Sequence, residues 1–525
     1  MSKPGAERYH DIPLLISGST KFGRYPKESS EQTYNMILSD GWLVPFAGYK
    51  NVVSISPTGE GRGIYSSAKQ NKMYAVIDSA IYKFNTDLTY TIVGHTITFT
   101  GDVFITENNA GQVLFSDSLN LYVYDSTAPA ASAFTILPSG TIGPPADLGF
   151  TPGYITFQNT RFISPDTASS LWRLSDFNDG RTLADWPADS QHEGALQTKP
   201  DRAVATLRFP GRGNMLLVFG HTVTEIWNDV GAQLFPYQRN QSVNLDYGCL
   251  NPATIAESEN IVCWLASNEK SGPTIMYTNG GDLKHISTDG IDFQLANIKN
   301  PTNSYGFMFK QDGHLFYVIS FPEDNLSYAY DFNTQMFFTV SDENLNAYIA
   351  KRVAFFNDQY YFVSIIDGNL YQMSSNFYTY DYGNDNVHEI PRIRITPSIS
   401  LPDQSRFVAG YTGFTIEQGQ FDYPDNDTRF NLNTQDGRQI TTQNGFVLSG
   451  GQDFTANVPK IQLSTSKDGG MNYGIKDTIF MKPLGRRANK LRFWRLGAAN
   501  DLVQQFEFFG FGRFVARDGV TGVYQ

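Results

Sequence analysis

The sequence has few cysteines, few basic residues and no long apolar run. Its 525 residues include only Cys249 and Cys263, neither with the CxxC or histidine-rich surroundings of a zinc site, so we expect two reduced core thiols. Lys and Arg number 40 against 52 Asp and Glu, a net charge of -12, which argues against holding nucleic acid through clustered basic side chains. No stretch of about 18 apolar residues occurs, and the start, MSKPGAERYHDIPLL, lacks a signal-peptide pattern. We therefore expect no membrane anchor, and a cytosolic protein or a component of an assembled particle.

Common catalytic motifs are also absent. The sequence contains no HExxH, no Gly-rich loop ending in Gly-Lys-Ser/Thr and no GxSxG. His221, His285 and His314 lie in or beside apolar runs, where a hydrogen-bonded strand or turn histidine is favoured over a ligand. Asp176 and Asp179, in SDFNDG, indicate a turn first, with a calcium site as the alternative. We expect no catalytic residue, no metal and no cofactor.

The sequence is rich in short apolar runs that alternate with polar residues and are broken by Asn, Asp and Gly. With 14% aromatic and 18% charged residues, this pattern predicts an all-β fold. The runs come in pairs, which start at Asn71, Gly111, Tyr154, Gly213, Asn260, Gly313 and Gln359. Successive starts are roughly 40 to 60 residues apart, the spacing of four-stranded propeller blades. The alternative is two ordinary β-sandwiches with the same density of hairpins.

A change of pattern near Arg392 and Arg394 predicts a domain boundary. The surrounding segment, YGNDNVHEIPRIRITPSISLPDQSRF, is punctuated by prolines, and longer alternating strands follow it. We expect three parts: an extended N-terminal segment (1–60), a β-propeller-like domain (61–382) and a C-terminal β-sandwich-like domain (383–525). One option is that the first segment, which contains PFAGYK, supplies an outer strand to the last blade and so closes the ring.

The stretch SKDGGMNYG has the composition of a hairpin turn in glycan-cleaving propellers. Its aspartate can cap the backbone amides of its own turn, its glycines can adopt positive φ, and its tyrosine can pack underneath. We interpret it as a structural motif made by Ser466, Asp468, Gly469, Gly470 and Tyr473. A sialidase-type site would need clustered arginines and a tyrosine nucleophile beside a carboxylate. A glycan-binding or glycan-cleaving propeller therefore stays as the alternative function.

One basic island, LGRRANKLRFWRLG, interrupts the acidic sequence. The alternation of Leu491, Phe493 and Leu496 predicts a strand that packs on one face. The arginines would then reach the surface, form buried salt bridges, or bind an acidic partner or a DNA phosphate. The candidate partner-binding residues are Arg486, Arg487, Arg492 and Arg495.

Four passages resemble the tail-hub proteins of short-tailed bacteriophages, also called nozzle or packaged-DNA stabilisation proteins. They are EQTYNMILSDGWLVPFAGYK, LLVFGHTVTEIWNDVGAQLFPYQRN, DYGCLNPATIAESENIVCWLAS with the later KHIST, and STSKDGGMNYG with the later FWRLGAAN. The second and third are the most specific, and from them we take Phe235, Pro236 and Gly248 as structural motif positions. The segment from Asp422 to Gly437 and the chain beyond Gly510 match no part of the resemblance.

The resemblance implies a mechanical role in the virion tail. It implies a propeller-like body joined to further β domains, six copies of which form a tube below the portal and adaptor rings. The tube would retain packaged DNA, guide its ejection without sequence-specific binding, and carry tail spikes or fibres and a needle or plug. Assembly would take place in the cytoplasm of the bacterial host. A third possibility, a propeller scaffold that binds peptides, also stays open.

Overall fold

The computed structural model of the chain describes residues 9–22, 31–143, 146–232, 235–421, 430–431, 449–450, 459–481, 488–510 and 512–524. Within these residues helix is limited to α1 (Asp289–Leu295) and to four 3-10 turns at Ala130–Ser132, Leu183–Asp185, Pro252–Thr254 and Pro322–Asp324. The all-β prediction is therefore confirmed. The strands before the first blade are β1 (Tyr9–Leu14), β2 (Gln32–Tyr34), β3 (Met36–Ser39), β4 (Trp42–Pro45) and β5 (Gly48–Ser56).

Seven antiparallel blades follow one another along the described chain. Blades 1 to 4 are β6 (Gly61–Ser67), β7 (Lys72–Ile77), β8 (Ala80–Phe84), β9 (Tyr90–His95); β10 (Phe104–Glu107), β11 (Gln112–Ser116), β12 (Leu121–Asp125), β13 (Phe134–Leu137); β14 (Thr156–Gln158), β15 (Arg161–Pro165), β16 (Leu171–Leu174), β17 (Glu193–Ala195); and β18 (Ala203–Arg208), β19 (Met215–Gly220), β20 (Thr224–Asp229), β21 (Tyr237–Leu245).

The remaining blades complete a ring. Blades 5 to 7 are β22 (Gly248–Cys249), β23 (Ala256–Ser258), β24 (Ile261–Ser267), β25 (Thr274–Thr278), β26 (Leu283–His285); β27 (Tyr305–Gln311), β28 (His314–Phe321), β29 (Leu326–Asp331), β30 (Met336–Thr339); and β31 (Ala350–Phe356), β32 (Gln359–Ser364), β33 (Gly368–Ser374) with β5. Inner strands of neighbouring blades contact one another from blade 1 to blade 4 and from blade 5 to blade 7, β19 of blade 4 contacts β22 of blade 5, and β6 of blade 1 contacts β31 of blade 7. The fold is thus a closed β-propeller, as predicted.

Tight turns set the register of several blade hairpins. In blade 6, Gln311 pairs with His314 across Asp312 and Gly313, whose φ values are 50° and 84°. In blade 7, a two-residue turn at Asn357 likewise has positive φ at both positions. Two positive φ values define the type I′ turn, whose twist matches that of the flanking strands and which Asn, Asp and Gly tolerate best. The Asn, Asp and Gly punctuation of the sequence therefore has a direct structural cause.

The N-terminal strand β5 closes the ring. It pairs antiparallel with β33 and becomes the fourth strand of blade 7, which is the ring-closing option raised by the sequence. Lys351 on the inner strand β31 adds an ion pair to Glu60 at 2.6 Å and lies 3.5 Å from Asp102, next to blades 1 and 2. An apolar cluster that includes Met73 and Val363 fills the space between blades 7 and 1. Ring closure thus combines backbone pairing, apolar packing and one buried lysine.

The strands after the ring are β34 (Thr379–Asp381), β35 (Val387–Glu389), β36 (Arg392–Ile395), β37 (Ile399–Ser400), β38 (Phe407–Phe421), β39 (Phe430–Asn431), β40 (Ser449–Gly450), β41 (Lys460–Ser466), β42 (Asp477–Phe480), β43 (Ala488–Ala499), β44 (Asp501–Phe509) and β45 (Gly512–Tyr524). Most of these strands form a sandwich, but β34 and β35 extend the sheet of blade 7, and β39 and β40 pair only with each other. One sheet has the order β3-β4-β45-β38-β43, and the other contains β2-β36-β44-β41-β42. Phe414 and Phe493 from the first sheet share a buried core with Ile461 and Phe506 from the second. The predicted C-terminal β-sandwich is therefore present.

The first 60 residues belong to both bodies. β1, β3 and β4 join the sandwich, β5 joins blade 7, and β2 pairs with β30 of blade 6 on one side and with β36 on the other. One continuous sheet therefore runs from blade 6 into the sandwich. The divisions after residues 60 and 382 stay a prediction, because the N-terminal strands are shared between the ring and the sandwich.

Candidate functional site at the propeller centre

The SKDGGMNYG turn connects β41 to β42 at the edge of the sandwich. Asp468 accepts hydrogen bonds from Ser466 Oγ (2.5 Å) and from the amide of Asn472 (3.0 Å), and these bonds lower the pKa of its carboxyl. Gly469 and Gly470 have φ values of 77° and 95°. Burial raises the pKa of Tyr473 to about 12, with Asp468 adding to the rise. The hydrogen bonds of Asp468 stabilise the turn itself, and β41 and β42 lie at the opposite end of their sheet from the blade 6 strands.

Phe235, Pro236 and Gly248 lie at the joins between blades 3, 4 and 5. The Phe235 ring packs 5.4 Å from Trp172 of blade 3, and Pro236 accepts a backbone hydrogen bond from Val230. A Cβ on Gly248 would lie 2.2 Å from the backbone of the turn between β19 and β20, so only glycine fits at that crossing. Phe235 and Gly248 therefore pack between blades, whereas Pro236 closes the loop between β20 and β21 within blade 4.

The basic island divides in two. Arg486 and Arg487 lie outside the described residues. Arg492 and Arg495 are exposed on β43, and Arg492 lies over the rings of Tyr411 and Trp494, 5.2 and 5.8 Å from the centroids. Such cation–π contacts leave a guanidinium accessible to a further partner.

The other polar residues singled out from the sequence are held in local networks. His314 Nδ1 lies 2.8 Å from Asp331, and His285 Nε2 lies 2.9 Å from Asp292. Asp179 accepts a hydrogen bond from Gln112 Nε2 at 2.8 Å and caps its own turn. Among the described residues, no group of three or more His, Cys, Asp or Glu side chains is placed to hold a metal ion. In the same part of the chain, no helix is both long and apolar enough to cross a membrane.

A cavity of about 490 Å³ lies at the centre of the ring. The inner strands of all seven blades line it: β6, β10, β14, β18, β23, β27 and β31. Its volume is in the range of small-ligand sites, roughly 300 to 1,000 Å³. Four charged side chains and two phenols lie on its wall, and they are Glu107, Arg208, Glu257, Arg352, Tyr65 and Tyr154.

The acidic side chains of the cavity have different surroundings. Ser67 donates a 2.5 Å hydrogen bond to Glu107. Burial raises the pKa of Tyr65 above its usual value and the neighbouring Glu107 raises it further, so this phenol is neutral near pH 7. The Glu257 side chain is exposed to the cavity, yet its enclosure by the ring raises its pKa to about 7, with Arg208 opposing the rise. Glu257 is therefore close to half-ionised at neutral pH.

None of the four charged cavity residues was singled out from the sequence. They lie on short inner strands that precede the hairpin pairs, in the segments FITE, ATLR, AES and AKRVAFF. The available signal was a charged residue repeatedly placed in the strand before a hairpin. A single sequence does not reveal that these strands meet at one axis.

A comparison with family models identifies the fold's relatives. The model described as "Bacteriophage P22 Gp10, beta-propeller", of the phage stabilisation type, matches residues 12–378, more than half of the chain. The chain belongs to this family. As a member of the P22 Gp10 propeller family, it is a phage structural protein that stabilises packaged DNA, and so a component of the virion. The family resemblance predicted from the sequence is confirmed.

Solved structures similar to this member of the P22 Gp10 family include enzymes and a designed protein. A streptogramin B lyase is 14% identical, with 64% of this chain and 99% of that chain covered and a TM-score of 0.41. A catalytically inactive virginiamycin B lyase from Staphylococcus aureus with quinupristin is 11% identical, with 62% and 99% covered and a TM-score of 0.42. The computationally designed Ika8 protein is 10% identical, with 62% and 99% covered and a TM-score of 0.36. No curated protein sequence matches the chain. Similarity at this level assigns neither a ligand nor a reaction.

Proposed function

We propose that six copies of this chain form the hub, or nozzle, of a short phage tail. The ring would sit below the portal and adaptor rings, retain packaged DNA until ejection, and carry tail spikes or fibres and a needle or plug. It would assemble in the cytoplasm of the bacterial host and act in the virion. Membership of the P22 Gp10 family supports a role in stabilising packaged DNA, and the surface of the chain supports the ring.

The proposal of a six-copy ring is supported by two separate exposed apolar patches on the chain. The first, the blade 1–2 patch, consists of Ile97, Phe99 and Leu119. Thr98 Oγ1 donates a 2.6 Å hydrogen bond to Asp117, and this bond holds the loop of Phe99, which is 66% exposed, against the turn that carries Leu119. A fixed loop that presents apolar side chains to water is typical of an interaction surface.

The second, the C-terminal patch, consists of the exposed Val408, Trp494 and Tyr524 with the half-buried Tyr411. Tyr411 and Trp494 are paired across β38 and β43, with ring centroids 5.4 Å apart, and the Trp494 side chain is 57% exposed. Arg492 lies beside both rings. Tryptophan, tyrosine and arginine are the residues that most often dominate binding energy at protein interfaces.

Two different patches suit a ring better than a two-fold dimer. In a cyclic assembly above a dimer, each copy presents one surface to one neighbour and a different surface to the other. Permanent interfaces of this kind commonly bury upwards of about 2,000 Å². The blade 1–2 patch and the C-terminal patch would be the centres of the two complementary faces.

The charge of the chain supports a conduit through which DNA passes without binding. The net charge of -12 gives the assembly an acidic character. An acidic wall repels phosphates over about 8 Å at physiological salt, so DNA would be retained by a gate and would still slide when the gate opens. The central cavity of each propeller is too small to serve as that conduit, which would instead run along the six-fold axis.

We also propose that the chain catalyses no reaction. The cavity contains arginines and a tyrosine beside a carboxylate, the residue types that a sialidase-like site uses. Burial and Glu107 keep the Tyr65 phenol protonated, however, which opposes its use as a nucleophile. Incubation with a fluorogenic sialoside tests this point: we expect no release of the fluorophore above a buffer blank, and saturable release would contradict the proposal.

The ring itself is tested by breaking one face at a time. Phe99→Asp and Trp494→Asp each place a charge in one patch, whereas Ile475→Asp changes a 97% exposed side chain outside both patches. Light scattering and negative-stain imaging would follow each chain alone and after addition of portal–adaptor complexes. We expect six copies on each complex for the wild type and for Ile475→Asp, and no ring for either patch variant. A mixture of the two patch variants retains one intact pair of faces and should give dimers. A wild-type chain that stays monomeric on the complexes would contradict the proposal.

A further inference from the structure

The propeller centre contains charged groups that the ring itself does not fully pair. Within the described residues, the side chains of Arg208 and Glu257 are exposed to the cavity and make no hydrogen bond or salt bridge, although Arg208 is close enough to lower the pKa of Glu257. Arg352 Nη2 is buried and has no hydrogen-bond partner. An unpaired guanidinium nitrogen away from bulk water is costly, so such groups in a cavity point to a missing partner.

Arg352 is held in place but not neutralised. Its guanidinium lies over the ring of Phe104, 5.4 Å from the centroid, and its Nη1 is 3.5 Å from the carbonyl oxygen of Gly306. Neither contact supplies a negative charge. The guanidinium is therefore fixed in orientation with donor capacity to spare, which is the arrangement that binds carboxylate and phosphate oxygens well.

The charge of the cavity is favourable to an anion. Of the two carboxylates, Glu107 already accepts a hydrogen bond from Ser67 and faces Tyr65. Enclosure keeps Glu257 partly protonated near pH 7, so the two arginines outweigh the carboxylate charge. The groups that face Glu257 from the other blades are Arg208, Glu107, Tyr65, Tyr154 and Arg352.

We propose that the central cavity binds one small oxyanion group, a carboxylate or a tetrahedral phosphate or sulfate, through the guanidinium groups of Arg208 and Arg352. Protonated Glu257 adds a hydrogen-bond donor and removes a competing charge. The site lies within a single propeller, so the proposal is independent of the six-copy ring. The volume of about 490 Å³ leaves room for the anion and a small organic group attached to it.

Titration calorimetry of the full chain with sodium sulfate and, separately, sodium acetate tests the site at constant ionic strength. Sulfate probes the tetrahedral anion and acetate probes the carboxylate. We expect saturable binding of one ion per chain for at least one of them. Arg352→Met and Arg208→Met should each weaken binding by about tenfold or more, because a charge-assisted contact contributes roughly 1.5 to 3 kcal/mol. Arg406→Met, which removes an exposed arginine of the sandwich, should bind like the wild type.

Repeating the sulfate titration at pH 6 and pH 8 tests the part played by Glu257. With a pKa of about 7, the protonated fraction falls about tenfold over this interval, and we expect a roughly five- to tenfold loss of affinity. Glu257→Gln, which cannot ionise, should bind equally at both pH values. Wild-type binding that does not change with pH would overturn the role of Glu257. Absence of saturable binding of both ions at pH 6, or equal affinities for Arg352→Met and Arg406→Met, would overturn the site.

Discussion

The N-terminal segment makes two seams in this protein, and their chemistry differs. At the ring seam, β5 brings Tyr49 into an aromatic core, where its ring stacks 4.3 Å from that of Tyr380. At the sandwich seam, Glu31, the residue before β2, lies 2.6 Å from Arg394, a fully buried arginine that also donates to the carbonyl oxygen of Ser19. The first seam is apolar and the second is ionic.

This difference in chemistry determines how the stability of each seam responds to a single substitution. Apolar contacts are many and individually weak, so losing one leaves the others in place. A buried ion pair costs desolvation energy on both sides, and removing one partner leaves the other as an uncompensated charge. The ionic seam should therefore be the more sensitive to single substitutions, although it is the smaller of the two. We infer that it also fixes how the sandwich is registered on the ring.

The largest effect should come from Arg394→Ala. Removing the guanidinium leaves Glu31, which is 7% exposed, with the exposed Lys21 as its remaining counter-ion among the described residues. We expect a loss of about 4 kcal/mol in the free energy of unfolding of the sandwich. Chemical denaturation, with hydrogen exchange measured on β2 and β36, would detect it. Arg406→Ala is the exposed control and should change little. If the double variant Arg394→Met with Glu31→Leu were as unstable as Arg394→Ala, the uncompensated charge would not be the cause.

Tyr49→Ala should have the next largest effect, in the apolar seam. It removes a fully buried ring from the core that joins β5 to blade 7. We expect the free energy of unfolding to fall by about 3 kcal/mol. Tyr49→Phe keeps the ring and removes only the 2.7 Å hydrogen bond to the Tyr382 hydroxyl, at a cost of about 1 kcal/mol. Hydrogen exchange of β5 and β33 provides the measurement. Equal losses for the two variants would assign the stability to the hydroxyl and contradict the apolar description of the seam.

Lys351→Met sharpens the comparison, because this lysine is a charged contact within the apolar ring seam. Its side chain is 8% exposed, whereas Glu60 and Asp102 keep partial access to water. We therefore expect the substitution to lower the free energy of unfolding by about 1 to 2 kcal/mol. Faster exchange of the β6 amides would report opening between blades 7 and 1. Lys310→Met, which removes an exposed ion pair with Glu259, is the matched control and should be close to neutral. Equal losses of stability for Lys351→Met and Lys310→Met would mean that burial of the ion pair does not determine its contribution.

The smallest effect concerns pH and the Glu257 carboxyl. Its pKa is about 7 in the folded chain and 4.5 unfolded, so its contribution to folding is fully present below about pH 4.5 and is lost as the pH rises through 7. The free energy of unfolding of Glu257→Gln should match that of the wild type near pH 5 and exceed it at pH 8. We expect a difference of only about 1 kcal/mol, because solvent screens the charge of this exposed side chain. Thermal unfolding at both pH values gives the measurement. A variant that is more stable at pH 5 than at pH 8, relative to the wild type, would reverse the predicted sign.

The blade hairpins could be predicted from the sequence because their alternation and turn residues are local. The turn at Asp312 is an example, since two neighbouring residues fix its register. A second local signal lies in SDSLNLY and IDGNLY, which share a bond from a strand tyrosine to the aspartate of the preceding turn. Tyr122 donates to Asp117 at 2.7 Å, and Tyr371 donates to Asp367 at 2.6 Å. Repeated side-chain bonds of this kind could have supported the propeller over two sandwiches.

Features that depend on distant pairing were not predictable in the same way. The number of blades could not be predicted from the sequence, because inner strands such as β14 and β23 have only three residues and are too short to show the alternation of a strand. The partner of β5 is more than 300 residues away along the chain. Arg394 was noticed only as part of an alternating pair, and its burial against Glu31 follows from the path of the N-terminal segment. Glu257 and Arg352 meet only because the ring closes.

DNA retention by phage heads tests the central claim most directly. DNA-filled heads that carry portal and adaptor but lack this chain would be treated with nuclease, with and without added purified protein, and the protected DNA would be measured. We predict that the wild-type chain and Ile475→Asp restore protection, whereas Phe99→Asp and Trp494→Asp do not. Heads that lose the same amount of DNA with and without the wild-type chain would contradict its role in closing the head.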